Sequence, residues 1–185
     1  MADQELADCV LRGDQEAFRI IVERTEKLVL HIISGMISSR EDREDLAQDV
    51  YLKAFRSLSG FRYEAKLSTW IARITYNACV NHLRKKRLPL VYTADDQLDG
   101  TPEVSGDPLA LLSEREISII LRRAVASLSP LNSTLIALFH QAGLSISEIA
   151  HVTGLPEGTV KSYLYRARKQ LQQYLLTIYQ NKEAL

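Results

Sequence analysis

Apolar residues recur three and four positions apart along most of this chain, the spacing that gathers them on one face of an α-helix. Phe18, Ile21, Val22, Leu28, Val29, Ile32 and Ile33 make one such stripe, with Asp14 placed upstream as a helix cap. A second helix is expected to start at Ser39 or Asp42, to carry Leu46, Val50, Ala54 and Leu58 inward, and to end at Ser59-Gly60. A third is expected with Ser68 as its cap and Ile71, Ile74 and Ala78 inward. Pro89 sets its limit, because proline has no N–H to donate and its ring collides with the preceding turn.

The pattern breaks between Pro89 and Pro108. This stretch holds Asp95, Asp96, Asp99, Glu103 and Asp107, together with Gly100, Pro102, Ser105 and Gly106, and contains neither lysine nor arginine. Such a composition buries little apolar surface and suits an acidic, flexible linker. The chain therefore divides into residues 1–88, a linker 89–111, and residues 112–185, with no repeat relating the two halves. Helical periodicity resumes near Leu111. Ser129-Pro130 pairs a cap with a proline at the first helical position, and that helix should stop at Gly143. The expected fold class is all-α, with two small helical domains.

The segment Leu144 to Val160 carries the strongest local signal. Ser145 and Glu148 have capping-box spacing. Ile149 faces inward, and Ala150 is small enough for a second helix to approach. Gly154 supplies the backbone freedom of a tight turn before a new helix at Pro156-Glu157. This is a helix-turn-helix pattern. Its second helix buries Val160, Leu164, Ala167 and Leu171 and presents Lys161, Ser162, Tyr165, Arg166 and Lys169 on the other side. A helix that enters a DNA major groove needs such a face, with cations for phosphates and hydrogen-bonding tips for base edges. A solvated basic face on a bundle helix would have the same composition.

Two constellations mark the first half. In Glu41 to Asp49, five acids surround one arginine, and Asp45 and Asp49 share a helix face with Gln48 and Leu52. That face suits a basic protein surface, although acids also favour any helix start through the dipole. Next, Phe61, Tyr63 and Trp70 are interleaved with Arg62 and Lys66. Arg73, Asn77, Asn81 and Lys85 then follow at four-residue steps, and the helix ends Arg84-Lys85-Lys86-Arg87. Aromatics beside cations suit unpaired bases, which stack and are held by their phosphates. Asparagine offers a donor and an acceptor to a base edge. Phe61 and Trp70 could equally be core residues, and for Trp70 that is the preferred reading.

Bulk composition adds exclusions. Lys+Arg and Asp+Glu both total 23, so net charge singles out no partner, and the local runs above carry the information. Cys9 and Cys79 lack ligand or disulfide-framework spacing, which makes a reducing, cytoplasmic setting the expectation. The start of the chain is acidic and does not resemble a secretory signal, and no apolar run is long enough for a membrane span. His31, His82, His140 and His151 are scattered, with no HExxH, P-loop or GxSxG. No enzymatic activity, metal or cofactor is expected.

Glu44 to Leu58, then Phe61-Arg62, then Ser68 to Asn77 resemble region 2 of extracytoplasmic-function sigma factors, and Gly158 to Arg168 resembles their region 4. Both regions in this order make the resemblance specific, and it covers nearly the whole chain apart from the acidic linker. It implies an initiation factor that binds bacterial core RNA polymerase and promoter DNA and is held inactive by an anti-sigma factor, commonly membrane-anchored. Asp45, Leu46, Gln48, Asp49 and Leu52 would bind the polymerase clamp helices. Phe61, Arg62, Lys66, Asn77, Asn81, Arg84 and Lys85 would serve the −10 element, where a base is flipped out. Lys161, Ser162, Tyr165, Arg166 and Lys169 would serve the −35 element. Lys161 stands where many relatives have arginine, which favours a point-charge phosphate contact over a bidentate base contact. Tyr165 adds a hydroxyl where an apolar aromatic is frequent.

Rival readings divide by what they explain. A dimeric helix-turn-helix regulator accounts for residues 144–169 but leaves the Asp45–Asp49 and Phe61–Asn77 sets without a role. An adaptor that docks on polymerase without reading DNA would tolerate loss of charge at Lys161 and Arg166.

Overall fold

The computed structural model describes residues 2–86 and 114–183, and every regular element among them is helical. The expected linker, 89–111, and the restart near Leu111 lie outside the described residues. In order, the helices are α1 (Asp3–Leu11), α2 (Gln15–Met36), α3 (Arg40–Ser57) and α4 (Leu67–Lys85). They continue with α5 (Glu114–Ala126), α6 (Pro130–Ile136), α7 (Ile146–Thr153) and α8 (Glu157–Glu183).

Local chemistry accounts for most boundaries. Asp14 accepts hydrogen bonds from the backbone N–H groups of Glu16 (2.9 Å) and Ala17 (3.1 Å), satisfying two donors that the first turn of α2 leaves unpaired. Ser39, rather than Asp42, caps α3 by accepting from Asp42 N–H at 3.3 Å. After α3, a short 3₁₀ turn, Leu58–Gly60, buries Leu58. Ser129 caps α6 with Pro130 at its first position, and a single wide turn of π-helix, Ala137–Gln141, extends it toward Gly143, whose φ is +66°.

Two features correct the sequence reading. The α1 helix was not foreseen, and Ser68 does not cap α4. The helix starts two residues earlier, at Leu67, with Lys66 in the cap position and no cap bond from its own side chain. The Leu67 N–H instead donates to Asp3 Oδ2 at 2.8 Å. The cap of α4 is thus a long-range contact from α1. No spacing rule can supply it, because capping rules look only a few residues along the chain.

The inward stripes build the core. Leu6, Ile21, Val29, Ile32, Ile33, Val50 and Ile71 are almost wholly buried between α1 and α4. Leu135, Leu138, Ile149, Val152, Val160 and Leu164 do the same for the second half. Each fully buried leucine or isoleucine contributes about 1.5–3 kcal/mol relative to an exposed one, so these rows outweigh any single cap. The two halves also pack on each other, α2 against α6 and α4 against α7.

Candidate protein and nucleic-acid interfaces

Three surfaces emerge from these elements. The first is an open apolar groove of about 630 Å³ between α2 and α3, lined by Gln15, Phe18, Val22, Gln48, Tyr51, Leu52 and Phe55. It persists because Phe18 and Phe55 meet edge to face at 5.0 Å along its wall, while Leu52 and Phe55 remain 53% and 51% exposed. Large apolar groups held this open mark an interaction surface more readily than a core. Tyr51 forms the floor, its hydroxyl 3.1 Å from Thr25 Oγ1, and burial pushes its pKa upward. Asp45, Gln48 and Asp49 stand exposed along the α3 rim. Leu46 is 7% exposed and faces the core, so it positions α3 beneath this rim. Gln15, Phe18, Val22, Tyr51 and Phe55 are the groove residues that sequence reasoning missed. Phe18 has the spacing of a core position, and in the structure it is half-buried, packed against the core and lining the groove at once.

The second surface combines the loop before α4 with the outer face of that helix. Phe61 is only 7% exposed, packed against Trp70 at 5.4 Å and Tyr63 at 4.8 Å between ring centroids. Tyr63 is the outermost ring of the three, 41% exposed, and its hydroxyl donates to Asp8 Oδ1 at 3.1 Å. Its φ of +59° is the one positive value at a non-glycine position among the described residues. That left-handed backbone costs an L-residue about 1–2 kcal/mol. Arg62, Lys66, Arg73, Asn77, Asn81, Arg84 and Lys85 are all exposed. At 1.5 Å rise per residue, the stripe from Arg73 to Lys85 runs about 18 Å along α4. Below it, Lys86 Nζ sits 2.6 Å and His82 Nε2 3.6 Å from Asp42 Oδ2, an arrangement that fastens the end of α4 to the start of α3. The Lys86 ammonium is the main reason that the Asp42 carboxyl is held below its ordinary range. Behind the stripe, burial pushes the Cys79 thiol up to about 12, which keeps it protonated and unreactive near neutrality.

The third surface lies on α8. The helix-turn-helix forms as its spacing requires. Ser145 Oγ accepts from Glu148 N–H at 3.2 Å, Glu148 Oε2 accepts from Ser145 N–H at 2.9 Å, and Gly154 takes φ +74° at the turn. Val160, Leu164 and Ala167 are buried, which turns Lys161, Ser162 and Tyr165 out to solvent with Arg166 and Lys169 half-buried beside them. Lys169 Nζ lies 5.1 Å over the Tyr165 ring and the Arg166 guanidinium 5.5 Å over Tyr163, so each cation rests against an aromatic face.

A polar seam joins the halves. Glu148 Oε1 is 3.3 Å from Lys66 Nζ and accepts from Thr69 Oγ1 at 3.5 Å, while Arg73 Nη1 reaches His151 Nε2 at 3.3 Å. Farther along, Asn132, Ser133 and Thr134 of α6 are buried, the last two against Gly35 of α2, and Asn132 Oδ1 has no hydrogen-bond partner. Gly35 permits this approach, since a Cβ there would sit 3.3 Å from Ser133 Oγ and 3.4 Å from Thr134 Oγ1. Among the described residues, no group of three or more His, Cys, Asp or Glu side chains is arranged to hold a metal ion, and no helix is long and apolar enough to cross a membrane.

Comparison with known proteins gives these surfaces a class. The sigma-70 region 2 family model matches residues 21–88, and the sigma-70 region 4 model matches residues 118–171. The first takes in the α3 wall of the groove, the aromatic loop and the α4 stripe, and the second spans the helix-turn-helix. The chain is 32% identical over 181 residues to RNA polymerase sigma-H factor of Pseudomonas aeruginosa, covering 94% of this chain and 93% of that protein. It is 32% identical over 178 residues to the ECF RNA polymerase sigma-E factor of Escherichia coli K12, covering 92% and 93% respectively. The chain belongs to the extracytoplasmic-function sigma factor family, whose members are transcription initiation factors and not enzymes. Two solved structures share the fold. One is CnrH in complex with the cytosolic domain of CnrY, with a TM-score of 0.67, 21% identity, and coverage of 96% of this chain and 99% of that one. The other is sigma factor RpoE in complex with the anti-sigma factor NepR from Bartonella quintana, with a TM-score of 0.64, 24% identity, and coverage of 85% and 96%.

Proposed function

We propose that the three surfaces divide the work of promoter-directed initiation among them. Residues 1–88 act as the region 2 domain, 89–111 as the linker and 112–185 as the region 4 domain. The α2–α3 groove, with Asp45, Gln48, Asp49 and Leu52 on its rim and Leu46 beneath it, docks the clamp helices of core RNA polymerase. A helical partner fits such a groove through apolar anchors three and four residues apart, with its basic flanks meeting the acidic rim. The loop cations Arg62 and Lys66, with Asn77, Asn81, Arg84 and Lys85, hold the −10 strand as it opens, and Phe61 packs beneath them. Lys161, Ser162, Tyr165, Arg166 and Lys169 read the −35 duplex. The work is done in the cytoplasm, and an anti-sigma factor competes for these faces, by analogy with RpoE of Bartonella quintana in its complex with the anti-sigma factor NepR.

The observation that carries this reading is the placement of both nucleic-acid faces on solvent while the halves are packed together. The closed body must open to act. A compact chain of this length has a radius of gyration of about 16 Å and a diameter of about 40 Å. The −10 and −35 elements lie roughly 75 Å apart along a duplex at 3.4 Å per base pair. The buried hydroxyls of Ser133 and Thr134 against Gly35, and the ion pair of Lys66 with Glu148, are the polar parts of a contact that would have to part.

The deciding experiment is in vitro transcription with sigma-free core polymerase on a genomic promoter library, with and without this protein. New transcripts sharing two spaced elements are expected. Failure to bind core would overturn the reading and favour a stand-alone helix-turn-helix regulator. Tight core binding with no transcript from any library promoter would favour an adaptor.

A further inference from the structure

Resting on the proposed −10 reading, we infer that Tyr63 is a base-stacking residue of the −10 site, taking the role that burial denies to Phe61. Three independent observations meet at this side chain. First, Tyr63 adopts φ +59°, in the left-handed region where glycine is the unstrained choice. The backbone alone would be better served by glycine, so the ring must contribute something to offset the strain. Second, the ring is positioned from two sides. It packs against Phe61 at 4.8 Å and an interplanar angle of 60°, and its hydroxyl is tied to Asp8 of α1 at 3.1 Å. Third, it is 41% exposed, whereas Phe61 is 7% exposed, and it directly follows the exposed cation Arg62 in the loop that also carries Lys66.

These properties match what an unpaired base needs. A base stacks on an aromatic face whatever its sequence, and the neighbouring cations hold the adjoining phosphates. A ring that is already fixed loses little conformational freedom when the base arrives. Trp70, Phe61 and Tyr63 form a row of rings running from the half-buried face of α4 to the surface. A base placed on Tyr63 would extend that row by one. Phe61 then acts as the support that fixes the height of Tyr63 and does not itself meet the base.

The test uses holoenzyme assembled from core polymerase and the full chain. The probe is a labelled single-stranded DNA oligonucleotide carrying the non-template −10 segment of a promoter that the wild-type protein transcribes. Tyr63→Gly removes the ring and relieves the backbone, so its thermal unfolding midpoint should be equal or higher. Its affinity for the probe should fall about tenfold, the lower part of the range for loss of one stacked base. Tyr63→Phe keeps the ring and loses the Asp8 bond, and should retain near wild-type affinity. Replacing the bases of the probe one at a time by abasic sites should reveal one position at which wild type and Tyr63→Gly bind equally. Equal binding of wild type and Tyr63→Gly to the intact probe would overturn the inference. So would an equal loss in Tyr63→Phe, which would assign Tyr63 to clasping α1, and so would the absence of any single abasic position that closes the gap. If wild-type holoenzyme failed to bind the probe at all, the −10 reading itself would fall, a result distinguishable from each of these.

Discussion

Lys66 Nζ lies 3.3 Å from Glu148 Oε1, so a cation of the loop before α4 is held by the same acid that completes the capping box of α7. One carboxylate therefore serves both the local start of the helix-turn-helix and the contact between the two halves. Its pKa is lowered from the ordinary 4.5, first by the Ser145 backbone N–H and then by the Ser145 hydroxyl and the Lys66 ammonium. A group whose folded pKa is depressed stabilises the fold fully above its unfolded value and loses that contribution as pH falls through the folded one. Urea unfolding at a series of pH values should therefore show wild type losing more stability than Glu148→Gln below about 4.5 and not above it. Glutamine can still complete the capping box, which isolates the charge. Parallel acid limbs in the two proteins would remove Glu148 from the account.

The seam itself is tested by a wedge. Gly35 faces Ser133 and Thr134 so closely that a Cβ already stands at 3.3 and 3.4 Å from their hydroxyl oxygens. Gly35→Leu adds three further carbons to that contact and should part the halves. Small-angle scattering should report a radius of gyration a few ångströms above the compact value of about 16 Å, with helix content unchanged. An unchanged radius would mean that the seam absorbs the side chain and is not poised to open.

The groove predicts a separable defect. Leu52 is 53% exposed and packs little in the free protein, so Leu52→Asp should leave the unfolding midpoint within a few degrees of wild type. Affinity for core polymerase should drop by about 30-fold or more, the loss of roughly 2 kcal/mol expected when an apolar anchor at an interface is replaced by a charge. Wild-type affinity in this variant would relocate the docking face.

On α8, Lys161 is exposed and offers a point charge. Lys161→Ala should weaken binding of −35 duplexes by the holoenzyme nearly uniformly across sequences and reduce the log–log salt slope by about one. A sequence-selective loss at unchanged slope would instead assign Lys161 to base readout.

In the core, Ile71 of α4 is 0% exposed. Ile71→Ala should cost about 2–5 kcal/mol of unfolding free energy, as methylene loss and a residual cavity add. A loss under about 1 kcal/mol would show that the site collapses around the deletion.

Much of this architecture was legible one residue at a time. Leu46, Val50, Ala54 and Leu58 announce α3 because four-residue spacing makes one face, and the Ser145–Glu148 pair with Gly154 announces the helix-turn-helix because caps and turns depend only on neighbours. The exposed row Arg73, Asn77, Asn81 and Lys85 was visible for the same reason. Whatever depends on a helix period or a local hydrogen bond was determined by the sequence alone, and the family resemblance named the surfaces.

Other features required the chain to return on itself. That Asp3 caps α4, that Phe18 lines a groove with Phe55, and that Glu148 holds Lys66 are all contacts between residues distant in sequence. Their geometry follows from how helices pack, and many packings share one hydrophobic pattern. A period states which face of a helix turns inward. Only the tertiary structure decided which neighbour each face meets, and hence which side chains remain exposed.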